Sequence, residues 1–576
     1  MSPLSKRLIT VGLLGAVLVF HLAVVGQDFT VLAENGFLYD DSFYAFKIAK
    51  SIADGKGPTF DGIHPTNGFQ PLYVFLIAPF YWIFGSDLIA PIYAALSLSA
   101  LLTALAAFLL YRIVGRYTSA KVAVAAAAIW AFSPVVTRQA ANGLETSLAV
   151  FLFASIVYFY LSRVRRAEAP RGRDLVALGA LSGLGVLARV DLVFLALAIA
   201  LDYLLVLRRR GAAARALRGI FVPFGAALVT YSPWLLYNLF TMRSVVQDSG
   251  TATRYLSLAY APLFDLGPPE MAATGPDANF IWGHITHSFS VLKMAPPVHA
   301  FFRGAEKLGV ELGAGSAALA VANVAGLALI ALFLYLVVAR KRDLVVEGFG
   351  EVQFLLVFAG ALIAAYSLYV FGVFFFARYY YPVYFVLCVY AGLMLEEGLR
   401  RAASGAAAAR AAVGAVLAVY LASFGYMAYT CAARSYPVYC FYEVARWVDD
   451  NTSPDDTIGV FQSGAIGYFS ERRVVNLDGK VNRAALAALK EGQLGDYLRA
   501  EGIDVVVDNR NVLELFLTGC VQRKKTADPL VLLGLHPIMQ PGTKRVPGWA
   551  AYRVNGFASS HKSGIPGNGP RALHEE

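Results

Sequence analysis

Charge is scarce in this chain. Asp, Glu, Lys and Arg make up 15% of its 576 residues, against about 25% in soluble globular proteins. Apolar residues fill the gap at 58%, and the mean hydropathy is +0.57. This balance excludes a soluble enzyme, a disordered chain and a nucleic-acid binder. Cysteine is scarcer still: four residues with no CxxC spacing exclude a disulfide scaffold and a cysteine-held metal. The turn Gln462–Gly467 lacks GxGxxG, so it reads as a structural turn packing on the membrane part rather than a nucleotide site. No two-fold internal similarity of the transporter kind is visible.

What is present is a series of long apolar runs. A bilayer core takes roughly 20 residues as a helix, and scanning for such runs gives about eleven spans. They are 8–26, 87–111, 119–135, 145–162, 174–188, 191–207, 219–240, 315–339, 351–376, 379–398 and 411–430. The stretch 71–85 is short and carries Pro71 and Pro79, so it reads as an interfacial or re-entrant piece. The net charge of +10 fits this topology. With a cytoplasmic N-terminus, every inside loop is basic (Arg163, Arg165, Arg166, Arg171 and Arg173, for example), while the outside turns 136–144, 189–190 and 377–378 carry one Arg each.

The expected architecture is a polytopic α-helical membrane protein with a C-terminal extracytoplasmic α/β domain. Residues 1–430 form the membrane part, with outer loops at 27–86 and 241–314. Residues 431–556 form the α/β domain, and 557–576, rich in Gly, Ser, Pro and His, a loose tail. Cys431, Cys440 and Cys520 fall outside, where an oxidising compartment permits one disulfide, and the sequence does not choose the pair.

The richest polar stretch lies in the first outer loop. Asp40 and Asp41 are adjacent carboxylates, one of which should have a raised pKa, and either suits proton abstraction from a hydroxyl. They equally suit a plain helix cap, because a helix starts there. His64, Asn67 and Gln70 can hydrogen-bond a sugar or phosphate, or can be ordinary loop residues.

The run Asp40-Asp41-Ser42-Phe43-Tyr44, Lys47-Ile48-Ala49, Gly55-Lys56-Gly57-Pro58-Thr59-Phe60-Asp61-Gly62 and Thr66-Asn67-Gly68-Phe69-Gln70-Pro71-Leu72 resembles the first loop of bacterial GT-C glycosyltransferases. These are the polyprenyl-phosphate-sugar-dependent enzymes related to protein mannosyltransferases, aminoarabinose transferases and arabinofuranosyltransferases. Asn142-Gly143-Leu144-Glu145-Thr146 is similar too, as are Gly464–Phe469 and Val475-Asn476-Leu477-Asp478-Gly479. The relatives often carry His where Gln70 stands.

The resemblance implies an inverting sugar transfer from a polyprenyl-phosphate donor to a hydroxyl of a glycan, lipid or protein acceptor. The site would face outward at a bacterial inner membrane, with Asp41 or Asp40 as general base. Attack at an anomeric carbon also needs a cation for the leaving phosphate. Arg378 and Arg189 are the candidates at the outer face, although Arg378 also reads as a snorkelling side chain and Arg189 as the partner of Asp191. The expected donor-binding set is Arg378, Arg189, His64, Asn67 and Lys47. Glu145, Gln70 and Tyr44 are expected at the acceptor side of the cavity, with Glu145 alternatively paired to Arg138. No metal triad is visible in the sequence, and no cofactor is expected, although Asp40, Asp41 and the donor phosphate could share a divalent cation. A flippase for lipid-linked sugars and an assembly protein are the alternatives.

Overall fold

The computed structural model describes residues 3–211, 216–261, 271–295, 345–369, 376–403, 439–521, 535–537 and 549–554. The expected spans 315–339 and 411–430 and the tail lie outside these residues, as do Cys431 and the side chains of Cys440 and Cys520.

Among the described residues, six helices are long and apolar enough to cross a membrane, within Leu8–Val25, Ala90–Val114, Thr146–Val164, Val190–Arg209, Leu217–Phe240 and Ala377–Ala402. A seventh arises if Ala120–Ala131 and Pro134–Ala140, bent by 60°, count as one span. Pro134 explains the bend, since it cannot donate within a continuous helix. The chain is a multi-pass membrane protein, and seven of the eleven expected spans are present among the described residues when the bent pair is counted as one. Two expected spans are undescribed, and two others are helices of 17 and 16 residues, Gly172–Ala188 and Gln353–Leu368, near the lower length for a bilayer crossing. Pro71–Phe84 is likewise a 14-residue apolar helix.

The bundle core is aromatic: Trp130, Phe153, Tyr160, Tyr381 and Tyr384 are all buried within one apolar cluster. The Ala216–Phe240 helix instead exposes Leu217, Phe221, Phe224 and Val229, an apolar belt suited to lipid tails.

The C-terminal part carries a five-stranded sheet: β1 (Thr457–Val460), β2 (Arg473–Asn476), β3 (Val505–Asn509), β4 (Leu535–Pro537) and β5 (Trp549–Val554). The strand order is β2-β1-β3-β5-β4, parallel across β2, β1 and β3 and antiparallel beyond. Strands β1 and β3 are Val/Ile-rich and buried on both faces, as parallel strands must be when covered by helices.

The sheet and the bundle share a core. The Asp40–Ala53 helix lies against Gly464–Phe469, and Phe43 sits 5.3 Å from the Phe469 ring and 5.7 Å from Tyr468. Tyr81 and Tyr468 hydroxyls meet at 3.0 Å. Phe43, Phe46, Tyr73, Ile466, Val505 and Trp549 belong to the same cluster, so the Asp40–Ala53 helix is fixed from both sides.

Candidate active site

In an open α/β sheet, ligands favour the crevice beyond the carboxyl ends of the strands, where the strand order reverses. Here the Asp40–Ala53 helix of the first outer loop fills that crevice. After β1 the chain turns into Gly464–Phe469, and the Asp40 carboxylate accepts from Ala465 N at 2.7 Å and Gly464 N at 3.3 Å. Tyr44 Oη accepts from Ser463 N at 3.2 Å and lies 3.4 Å from the Phe461 carbonyl. A Cβ on Gly464 would collide with the Asp40 carbonyl, so only glycine permits the approach. Burial raises Asp40 to about 7, helped by the Asp41 charge and opposed by the Ala465 N–H and the Lys480 ammonium.

Asp41 points elsewhere. It lines a cavity of about 210 Å³ between the bundle and the sheet. Arg378 Nη2 donates to its Oδ2 at 2.6 Å, and Lys480 Nζ lies 3.3 Å from Oδ1. Arg378 stands in the turn Ala377–Tyr380, just before the helix Tyr381–Ala403. Lys480 follows β2 through Gly479, whose φ of +81° favours glycine. Lys480 Nζ also lies 3.4 Å from Asp478 Oδ2. Burial works against the charge on Asp41, but Lys480 and Arg378 outweigh it and hold this carboxyl well below the usual range. Burial opposes the Lys480 charge too, and Asp41 and Asp478 more than restore it.

The far wall holds a second ion cluster. Arg189 donates to Glu145 at 2.7 Å and to Asp191 at 2.8 Å, and Tyr366 Oη donates to Asp191 at 2.6 Å. Arg189, Glu145 and Asp191 are all buried. Glu145 thus pairs with Arg189 rather than Arg138, whose guanidinium sits 5.7 Å over Phe37. Gln70 lines the same cavity, and its Oε1 is buried without a hydrogen-bond partner among the described residues.

Asp41, Arg378, Arg189, Glu145, Gln70 and Tyr44 therefore line one cavity. Three expected donor-site residues do not. His64 bonds Asp61 at 2.6 Å through Nδ1 and lies 3.5 Å from Glu501 through Nε2, joining the first loop to the C-terminal part. Asn67 is buried: it donates to Asn238 Oδ1 at 3.0 Å and accepts from Asp248 N at 3.0 Å, which makes it a bracket between loops. Lys47 lies off the cavity, and burial together with Lys50 and Lys56 lowers it to about 8.

The two carboxylates that could have shared a divalent cation with the donor phosphate face different partners. Asp40 accepts from two backbone N–H groups, whereas Asp41 faces the cations Arg378 and Lys480. A metal-capable group absent from the sequence reading is instead Asp61, His64 and Glu501, whose ligand atoms lie within 4.8 Å of one another. Arg473 already engages Glu501 at 2.5 Å. Lys480 is the cavity cation that the sequence reading did not name, although it stands directly after Val475–Gly479.

A helical bundle with an appended sheet and a cavity where the two meet is a GT-C type of fold. A family model for dolichyl-phosphate-mannose-protein mannosyltransferases matches residues 64–237, and one for a domain of unknown function (DUF8728) matches 426–554. Among solved structures, the apo oligosaccharyltransferase of Archaeoglobus fulgidus is similar at 15% identity and a TM-score of 0.51, over 90% of this chain and 72% of that one. ArnT from Cupriavidus metallidurans bound to undecaprenyl phosphate matches at 13% identity and a TM-score of 0.45, over 96% and 98%. No curated protein matches.

Proposed function

We propose that this protein is an integral-membrane glycosyltransferase that moves a sugar from a polyprenyl-phosphate donor to an acceptor hydroxyl, with inversion. Asp41 takes the hydroxyl proton, and Arg378 and Lys480 receive the charge of the leaving phosphate. The observation that carries this reading is the meeting of Asp41, Arg378 and Lys480, from three distant segments, on one cavity wall. The match to a mannosyltransferase family over residues 64–237 supports a lipid-phosphate sugar as donor. On this reading the site faces the extracytoplasmic side of a bacterial inner membrane, and the acceptor is a glycan, lipid or protein. Glu145 and Gln70 contact the sugar or acceptor, and Arg189 orients Glu145.

The test is turnover by purified protein in nanodiscs supplied with a panel of polyprenyl-phosphate sugars and hydroxyl acceptors. Release of polyprenyl phosphate, lost in a folded Asp41→Asn variant, is the expected result. Equal turnover in Asp41→Asn and wild type would remove the assigned base.

A further inference from the structure

The carboxylate assigned to take a proton is also the one most tightly held by cations. Arg378 occupies one Asp41 oxygen at 2.6 Å and Lys480 faces the other at 3.3 Å. A carboxylate so paired is a poor base, because proton transfer to it loses both charge-assisted contacts. Among its described lining residues the cavity has no spare cation for a phosphate. Its described lining holds Arg189, Arg378 and Lys480, and Arg189 is already engaged by Glu145 and Asp191. Of the described groups, the two that restrain Asp41 are the ones placed to meet an anionic donor that enters. Lys480 can turn from Asp41 without losing every carboxylate, since Asp478 lies 3.4 Å from its Nζ.

We propose that the donor's phosphate arms the base: on binding it draws Arg378 and Lys480 from Asp41, so the acceptor is activated only when the donor is in place. This rests on the functional reading above. The order of events follows from the charges. The phosphodiester monoanion takes the two cations. Asp41, relieved of them, accepts the acceptor's hydroxyl proton as that oxygen bonds the anomeric carbon. The anomeric C–O bond to phosphate breaks, and its electron pair leaves with polyprenyl phosphate, whose second negative charge falls on Arg378 and Lys480. With no donor bound, Asp41 stays paired, and a sugar-free hydroxyl or water meets no free base.

Coupling of this kind is reciprocal. If phosphate binding frees Asp41, removing the Asp41 charge must tighten phosphate binding by the same factor. The probe is undecaprenyl phosphate binding to protein in zwitterionic nanodiscs, with no turnover required. Asp41→Asn and Asp41→Ala are both expected to bind it about tenfold or more tighter than wild type. Lys480→Gln and Arg378→Gln should weaken binding in the wild-type and Asp41→Asn backgrounds alike. Asp248→Asn removes a buried charge from the segment beside the cavity, where it pairs with Arg483 and touches neither Arg378 nor Lys480, and is expected to change affinity less than threefold or so. If both Asp41 variants bind no tighter than wild type while the cation variants weaken binding, the arming step is wrong and the donor reading stands. An equal gain in Asp248→Asn also overturns it, since the effect is then a general field. If undecaprenyl phosphate binds neither wild type nor the Asp41 variants, the functional reading falls and takes this proposal with it.

Discussion

Replacing Arg189 by Met should destabilise the protein far more than neutralising either of its partners. The cluster carries one positive and two negative charges, Arg189 against Glu145 and Asp191, with side chains only 5–10% exposed. Arg189→Met leaves two buried carboxylates facing each other without a counter-charge. Breaking a buried pair this way costs about 3–5 kcal/mol, moderated when one carboxylate takes up a proton. Glu145→Gln does the opposite: it leaves a one-to-one Arg189–Asp191 pair and keeps an amide oxygen facing the guanidinium, so the cost is about 0–1 kcal/mol. The double variant Arg189→Met/Glu145→Gln should recover about half of the single-variant loss, because the two sites share one interaction. Thermal unfolding of the four proteins in one detergent ranks them. The reasoning fails if Arg189→Met unfolds within a degree or so of Glu145→Gln, or if the double variant is no better than Arg189→Met. Either result would mean that the guanidinium does not neutralise this wall and is free for a ligand.

Three further outcomes follow from the seam between bundle and sheet. Gly464→Ala places a Cβ against the Asp40 carbonyl, and should expose the C-terminal part to limited proteolysis while the helical part stays intact. Because burial raises Asp40 to about 7, the folded chain holds a proton that the unfolded chain has released, so this site's contribution to stability falls as pH rises from about 4 to about 7. Hydrogen exchange of the Gly464–Phe469 amides should track that window, and Asp40→Asn should flatten it. The Asp61 carboxylate beside His64 raises the imidazole, with partial burial opposing. Its stabilising contribution is complete below about pH 6.5 and fades as pH rises through the folded value. Exchange protection of Asp61–His64 and Leu494–Ala500 should therefore drop above that pH in wild type and show no such step in His64→Gln.

The sequence made the helices legible because apolar runs and basic loops repeat, and the strands because Val-rich runs sit between turns. It could not fix the span count, since Gly172–Ala188 and Gln353–Leu368 are apolar helices near the lower length for a bilayer crossing. Polar loop residues were the least readable. Asn67 and His64 have the same hydrogen-bonding capacity whether they meet a ligand or a neighbouring loop, and only the partners Asn238, Asp248, Asp61 and Glu501 decide it. Arg378 and Lys480 reach Asp41 across 337 and 439 residues, a separation no local pattern encodes. Arg378 stood out as an ionisable group at a span end, whereas Lys480 had only its place after Val475–Gly479 to mark it. The adjacent pair Asp40-Asp41 is the instructive case. Successive residues on a helix point about 100° apart, so two neighbouring carboxylates at its first turn must face different surroundings. Here one face meets the N–H groups of Gly464 and Ala465, and the next opens on the cavity. Helix geometry alone says that the two cannot share one task. What packs on each face says which of them reaches the cavity.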